Sequence, residues 1–294
     1  MYDGPGVRTI VFFKGCPLRC RWCSNPESQS RHYEVLYKQN NCIHCGACVN
    51  ACPANVHRIS ASGEHSVDRT AECIGCRQCE AVCPASALAI AGEQKCISEL
   101  ITVVEEDIPF YRTSGGGITL GGGEALMQPE AAANLLMACK QKGIHTAIET
   151  AGYCRPEVIE EIAKVTDLFL FDFKQADSDK HYAATGVRNE MIQANLRWLL
   201  ENRHTVQIRV PLVKGVNDGE ADLLGMVRFL EPYMAGKNYL GIDLLPYHKM
   251  GVYKYGQLDR EYPITGDPTL TDADLERVDS IIRQHNCPVS IIKH

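Results

Sequence analysis

Eleven of the fifteen cysteines lie between Cys16 and Cys83, in three groups whose spacing suits metal–sulfur chemistry. Cys16-x3-Cys20-x2-Cys23 offers three thiols with no fourth nearby. Cys42-x2-Cys45-x2-Cys48-x3-Cys52-Pro53 offers four in a tight run, and Cys73-x2-Cys76-x2-Cys79-x3-Cys83-Pro84 repeats it 31 residues on. The flanks repeat as well, Pro53-Ala54 and Ile59 answering Pro84-Ala85 and Ile90, so the segment is an internal duplication. A unit this small cannot bury a core of its own, and bound metal supplies much of its stability. Such runs hold either structural zinc or iron–sulfur clusters. Zinc draws its four ligands from two pairs, whereas each repeat presents one tight run ending in proline, which favours iron–sulfur. The three-cysteine group differs. A [4Fe–4S] cluster held by three thiolates leaves one iron open to an outside ligand, just as catalytic metal sites keep a position free. A fragment of a cluster-binding loop, or a set of redox thiols, is the plainer alternative.

Composition narrows the setting. Fifteen cysteines in 294 residues is about 5%, below the ~8–10% of a disulfide scaffold. The count is odd and no apolar signal core follows the start, so a reducing cytoplasm is expected, with thiols as ligands rather than disulfides. The remaining cysteines, Cys96, Cys139, Cys154 and Cys287, are expected to be buried small hydrophobes. No stretch reaches the ~18 apolar residues of a membrane span. Lys and Arg number 30 against 36 Asp and Glu, a net charge of −6, which argues against nucleic acid as a partner. With 45% hydrophobic residues the chain can bury a core, and its length suits one large domain plus a small insert.

The elements that must position these groups alternate. Residues 7–13 read as a buried strand leading straight into the first cysteine loop. The duplicated insert is expected at 34–92, leaving 1–33 and 93–294 as the main domain. Helices are predicted over Ile97–Ile108, Pro129–Lys142, Pro156–Lys164, Glu190–Asn202, Ala221–Tyr233 and Ala273–His285. Strands are predicted over Gly117–Leu120, His145–Glu149, Asp167–Lys174, Val206–Pro211, Leu240–Leu245 and Val289–Ile292. Regular alternation implies an α/β fold with a parallel sheet, as a partial barrel or a doubly wound sheet; in either, ligands sit at the carboxyl ends of the strands. Several residues fall there. Gly121, Gly122, Gly123 and Glu124 follow a strand, where glycines let backbone approach a ligand, although such runs are commonly plain turns. In Asp167–Lys174 the residues Phe169, Phe171 and Phe173 share one face, so Asp172 and Lys174 share the other, pointing to the mouth or forming a surface ion pair. Arg209 is a lone charge in an apolar strand, and its guanidinium fork suits a carboxylate.

Cys16-x3-Cys20-x-Trp22-Cys23 resembles the signature of radical S-adenosylmethionine (SAM) enzymes, in which the amino and carboxylate groups of SAM chelate the open iron; Trp22 fits the aromatic before the last cysteine. The two four-cysteine runs resemble those of bacterial ferredoxins, whose fourth cysteine serves the other cluster. That would give Cys42, Cys45, Cys48 and Cys83 to one [4Fe–4S] cluster and Cys73, Cys76, Cys79 and Cys52 to the next. Asp3-Gly4-Pro5-Gly6, Gly15-Cys16-Pro17 and Asn25-Pro26-Glu27 resemble the activating enzymes of glycyl radical enzymes, over nearly the whole chain. The resemblance implies a partial (β/α)6 barrel with a ferredoxin-like insert, binding SAM and three [4Fe–4S] clusters. It implies SAM contacts from the Gly-Gly-Glu motif ending at Glu124, from Asp172 and Lys174, from Arg209 and from His248. It further implies a monovalent cation beside Glu149-Thr150, and a role for Asp3, Gly4, Pro5 and Gly6 in seating the loop of the partner. Family members carry residues ahead of that loop where this sequence has only Met1 and Tyr2.

The activity implied is reductive cleavage of SAM to methionine and a 5′-deoxyadenosyl radical, which abstracts a Cα hydrogen from a glycine of a partner glycyl radical enzyme. A flavodoxin or ferredoxin-type protein would donate the electron, and the activase would act as a monomer. Among possible partners, the similarity of residues 2–9 and 22–27 leans towards choline trimethylamine-lyase, ahead of glycerol dehydratase and aryl-carboxylate decarboxylases. Two other readings compete. One is a radical SAM enzyme acting on a small molecule or another peptide; the other is a ferredoxin-like electron carrier without catalysis.

Overall fold

The computed structural model describes residues 3–292. Among them the strands, in chain order, are β1 (Arg8–Phe13), β2 (Glu34–Tyr37), β3 (His57–Ile59), β4 (His65–Val67), β5 (Leu88–Ala91) and β6 (Gly117–Gly122). They continue with β7 (His145–Thr150), β8 (Leu168–Asp172), β9 (Val206–Leu212), β10 (Tyr239–Pro246) and β11 (Val289–Ile291). The chain divides into two compact units, one of Met1–Trp22, Lys95–His248 and Ile264–His294, the other of Cys23–Gln94 and Lys249–Pro263.

In the larger unit seven parallel strands lie in the order β1-β6-β7-β8-β9-β10-β11. The order never reverses. A doubly wound sheet reverses at a switch point, so this winding decides the alternative left open by pattern: the sheet curls as a partial barrel with helices on one face. Among the described residues the edges β1 and β11 are not paired with each other, and the seven strands correspond to the seven expected, the last at Val289–Ile292. Packing follows the period-two pattern. Phe169 and Phe171 are fully buried with Leu120, Ile148 and Ile208 in the outer core. On the inner face Ala147, Leu168 and Leu170 form a separate small cluster.

Two features depart from expectation. The helix predicted over 97–108 is Ile97–Glu106, and a second helix, Ile108–Ser114, restarts with proline in its first turn, where the missing N–H costs nothing. A polar helix, Ser178–Thr185, follows β8; its residues show almost no amphipathic pattern, so periodicity did not reveal it.

The second unit is wider than the expected 34–92. Lys254 Nζ contacts Asn25 Oδ1 at 2.9 Å and Glu27 Oε1 at 2.5 Å, Arg260 pairs with Glu34, and Arg69 Nη2 donates to Gln257 O at 2.8 Å. These ties hold 249–263 to the cysteine-rich segment. Its duplication is visible in the backbone. Left-handed residues recur 31 positions apart as His44 and Gly75, Gly46 and Arg77, and Asn55 and Ser86. Each run carries its third cysteine, Cys48 or Cys79, buried on a short helix.

Candidate active site

The C-terminal ends of the barrel strands bring the expected charges together. Asp172 on β8 lies opposite Arg209 on β9, which lies opposite Asp243 on β10. In a parallel sheet such partners share a face. Glu149 of β7 pairs with Arg209 through Nη1, and Asp3 Oδ1 lies 4.0 Å from the same nitrogen. Lys174 Nζ lies 2.7 Å from Asp172 Oδ2. Burial works against the charge on Lys174, but Asp172 with the Cys20 and Cys16 thiols outweighs it and holds Lys174 above its ordinary value. Arg209 is held up likewise, by Glu149, Asp172 and Asp3 against its burial. Burial pushes the Glu149 carboxyl up to about 7 against the pull of Arg209, with Asp3 and Asp172 adding to the rise.

Glu124, 1% exposed, is also pushed up to about 7 by burial. Its carboxylate accepts from Thr150 Oγ1 at 2.8 Å, Ala151 N at 2.9 Å and Leu126 N at 3.2 Å. These donors use three of a carboxylate's roughly four acceptor sites, which leaves one for a ligand. Of the glycines before it, Gly122 is needed where it stands. A Cβ on Gly121 would fall 2.8 Å from Glu149 Oε2, and Gly122 has φ +102 with a Cβ that would strike the Phe13 backbone at 2.7 Å. The motif also anchors the first cysteine loop, since Gly123 N donates to Phe13 O and Glu124 N to Gly15 O, both at 2.9 Å.

Cys16, Cys20 and Cys23 are partly buried, and Trp22 is buried. Arg19 N and Arg21 N donate to Thr185 O and Ala184 O at 2.6 and 3.0 Å, so the end of the Ser178–Thr185 helix holds the loop. Asp3 O accepts from Thr119 Oγ1 at 2.6 Å. Asp3 and Gly4 are thus half-buried near the charged row, while Pro5 and Gly6 are exposed. His248 is half-buried just beyond β10.

A zwitterionic cation such as SAM fits this set. Arg209 Nε is buried without a hydrogen-bond partner among the described residues, a donor suited to a carboxylate, and the acidic groups outnumber Arg209 and Lys174. The side chains at Glu149-Thr150, where a monovalent cation was expected, already have partners. Glu149 is paired with Arg209, and the Thr150 hydroxyl both donates to Glu124 and accepts from Gly152 N at 2.8 Å.

In the second unit Cys42, Cys45, Cys48 and Cys83 line one cavity. Cys52, Cys73, Cys76 and Cys79 form the complementary electrostatic neighbourhood. These are the two groups that the crossed pairing would use, and burial with neighbouring thiols pushes Cys48 and Cys79 up. The matching Cys52 and Cys83 sulfurs each accept a backbone N–H, from Val56 at 3.4 Å and Ala87 at 3.3 Å. Of the other cysteines, Cys139, Cys154 and Cys287 are buried as expected; Cys96 is exposed, because it sits at the N-cap of the Ile97–Glu106 helix.

Comparison with known proteins follows the same lines. Residues 83–227 match the radical SAM superfamily, 41–87 a 4Fe-4S dicluster domain and 2–63 a 4Fe-4S single cluster domain. Choline trimethylamine-lyase activating enzyme of Oleidesulfovibrio alaskensis is 68% identical over 295 aligned residues, covering 100% of this chain and 95% of that one. The chain belongs to the activating enzymes of glycyl radical enzymes, within the radical SAM superfamily. Another relative, trans-4-hydroxy-L-proline dehydratase activating enzyme of Clostridioides difficile, is 44% identical over 89% of this chain and 86% of its own. A solved domain of pyruvate-formate lyase-activating enzyme from Bacteroides vulgatus is 30% identical with a TM-score of 0.51, covering 60% of this chain and 99% of that one.

In this activating enzyme three site-building residues escaped the sequence reading. Asp243 is a lone charge in an apolar strand, the signal that singled out Arg209, and was passed over. Burial raises its carboxyl while Arg209 lowers it. Asn217, 4% exposed, donates to Lys174 O at 3.0 Å and Pro211 O at 2.8 Å and accepts from Val213 N at 2.8 Å, stitching β8 to β9 beyond their ends. Asn195 does the same after β7, donating to Gly152 O and Cys154 O at 2.8 Å. Neither asparagine carries a sequence signal beyond its polarity.

Proposed function

We propose that this activating enzyme serves choline trimethylamine-lyase. The single observation that carries the choice of partner is the 68% identity, running the full chain, to an activase of that name. In this reading Cys16, Cys20 and Cys23 hold the SAM-binding cluster, with Trp22 packed beside it. The carboxylate of SAM is taken by Arg209, its ammonium by the remaining acceptor of Glu124 among the Gly121–Gly123 backbone, and its ribose by Asp172 and Lys174, with His248 closing the far side. When bound, the cluster and SAM supply one-electron cleavage of the C5′–S bond and the radical that removes the glycine Cα hydrogen. The work of the protein is to fix orientation and exclude water: Lys174 is held by Asp172, Arg209 by Glu149, and the loop backbones by Asn217 and Asn195. Two accessory [4Fe–4S] clusters, on Cys42/Cys45/Cys48/Cys83 and Cys73/Cys76/Cys79/Cys52, pass electrons from a flavodoxin or ferredoxin-type donor to a monomeric activase. Asp3–Gly6 meets the glycine loop of the partner through its exposed Pro5 and Gly6.

Anaerobic reconstitution tests this reading. The reduced protein with SAM is expected to form 5′-deoxyadenosine and to raise a doublet glycyl radical on choline trimethylamine-lyase, faster than on trans-4-hydroxy-L-proline dehydratase. A radical on the dehydratase alone would overturn the choice of partner, and no deoxyadenosine would overturn the assigned chemistry.

A further inference from the structure

The two cysteine quartets arise by duplication, yet their surroundings differ. Positions 31 residues apart correspond, so His57 answers Leu88. In β3–β4, Ile59 lies opposite His65; in β5–β2, Ile90 lies opposite Val35. By register, the place of His65 in one half is taken by Val35 in the other. A buried imidazole pair therefore stands where the second half has only aliphatic side chains.

His57 and His65 are 3% and 6% exposed. His57 Nδ1 lies 3.1 Å from His65 Nε2, while His57 Nε2 and His65 Nδ1 are buried without a partner among the described residues. One nitrogen of each ring and Cys48 Sγ all lie within 4.8 Å of one another, and His65 lines the cavity shared by Cys42, Cys45, Cys48 and Cys83. A neutral imidazole carries one N–H. Two arrangements of those protons exist. If His65 donated through Nε2, its buried Nδ1 would be a lone pair with no donor to meet it. If His57 Nδ1–H donates to His65 Nε2, the free His65 nitrogen carries an N–H, and sulfur can satisfy a donor that would otherwise be buried at a cost. The second arrangement suits the cavity.

We infer that His65 Nδ1–H donates a hydrogen bond to the cluster of Cys42, Cys45, Cys48 and Cys83, with His57 as its positioning residue, raising the reduction potential of that cluster above its twin's. Reduction adds negative charge to the sulfurs, and a donor stabilises that charge. The inference rests on the reading that both quartets hold clusters. Tyr37, whose hydroxyl donates to His65 O at 3.4 Å, is unchanged in the variants below and contributes equally to each.

An anaerobic redox titration of the cluster-loaded full chain, followed by electron paramagnetic resonance, tests it. The two accessory clusters of the unsubstituted protein should titrate apart; co-titration overturns the inference. His65→Val copies the residue already in the matching place. It is expected to lower the one-electron reduction constant of one cluster tenfold, 59 mV more negative, and to leave the other where it was. His65→Asn, whose amide can present an N–H near the place of Nδ1, should recover most of the shift. Full iron content with unmoved potentials in His65→Val, or an equal shift in His65→Asn, overturns the inference. If His65→Val fails to assemble its clusters, His65→Asn and the unsubstituted protein still decide. Iron analysis of Cys45→Ala separates the underlying reading: unchanged iron content would defeat the cluster assignment itself, whatever the histidine does.

Discussion

Glu124→Gln offers the sharpest test of how the mouth of the barrel is built. Burial raises the Glu124 carboxyl from 4.5 to about 7 although three donors pull it down. A raised folded value means that the folded protein binds the proton more tightly than the unfolded chain between those two pH values. Stability therefore falls as pH rises through the window, by about 3 kcal/mol in all at 1.36 kcal/mol per unit. Glutamine cannot ionise and loses that slope. It has its own penalty, because its NH2 must face one of the donors Leu126 N, Thr150 Oγ1 or Ala151 N, at about 1–3 kcal/mol. The variant should thus be the less stable protein at pH 5 and reach or pass the unsubstituted protein by pH 8. The difference between them should move by about 2–3 kcal/mol, or ~4–12 °C in melting midpoint. Buried histidines such as His57 and His181, whose values are lowered, tilt stability the opposite way but equally in both proteins, so they cancel in the difference. The assay is anaerobic thermal unfolding of the cluster-loaded proteins across that pH range. A difference that stays flat with pH would refute the reasoning, since it would mean that Glu124 does not hold its proton in the way burial requires.

Other outcomes follow from the same geometry. Arg209→Gln leaves Glu149 buried without its partner and should cost about 3–5 kcal/mol, with SAM affinity falling more than ~10-fold; adding Glu149→Gln should restore the melting midpoint but not SAM binding in equilibrium dialysis, and recovery of both would count against Arg209 as a ligand. Asn217→Ala strands Lys174 O, Pro211 O and Val213 N at about 1–3 kcal/mol and should raise the KM for SAM more than it lowers kcat; an unchanged KM would remove Asn217 from the site. Gly186→Ala forces a side chain into φ +80 at the end of the helix that holds the cysteine loop, at about 1–2 kcal/mol, and should slow SAM cleavage without loss of total iron. Cys76→Ala should leave SAM binding intact while slowing cleavage driven by a protein donor; equal rates would end the relay role.

Much of the fold was legible because strands buried on both faces are mostly apolar, and β6, β8, β9 and β10 stand out as such between amphipathic helices. What stayed hidden had a physical cause in each case. The Ser178–Thr185 helix reads as a polar loop, since only His181, Ala184 and Thr185 are buried and its structural task is performed by backbone carbonyls at its end. The winding of the sheet was equally silent, because alternating strands and helices serve a barrel and a doubly wound sheet alike. Strand order alone separates them, and it is a long-range property.

The site divides along the same line. Metal ligands in tight runs are local in sequence, so spacing by itself brought out eleven cysteines and the missing fourth thiol of the first group. The proposed SAM contacts instead come one or two at a time from β6, β7, β8, β9 and β10 or the residues just after them, and those within strands are visible only as charges that an apolar strand should not contain. Arg209 was found by that rule and Asp172 by the alternation of its strand; Asp243 obeys the rule equally and was missed, though register sets it directly beside Arg209. The rule can be made stricter. In a parallel barrel, one charge near the carboxyl end of a strand predicts others at the registered positions of its neighbours, because a lone buried charge is too costly to keep. From Arg209 that reasoning leads to Asp172 on one side and Asp243 on the other, and across the inner face to Glu149. The asparagines obey no such rule. Asn217 and Asn195 satisfy carbonyls that strands leave unpaired where they end, a need created only once the sheet has formed.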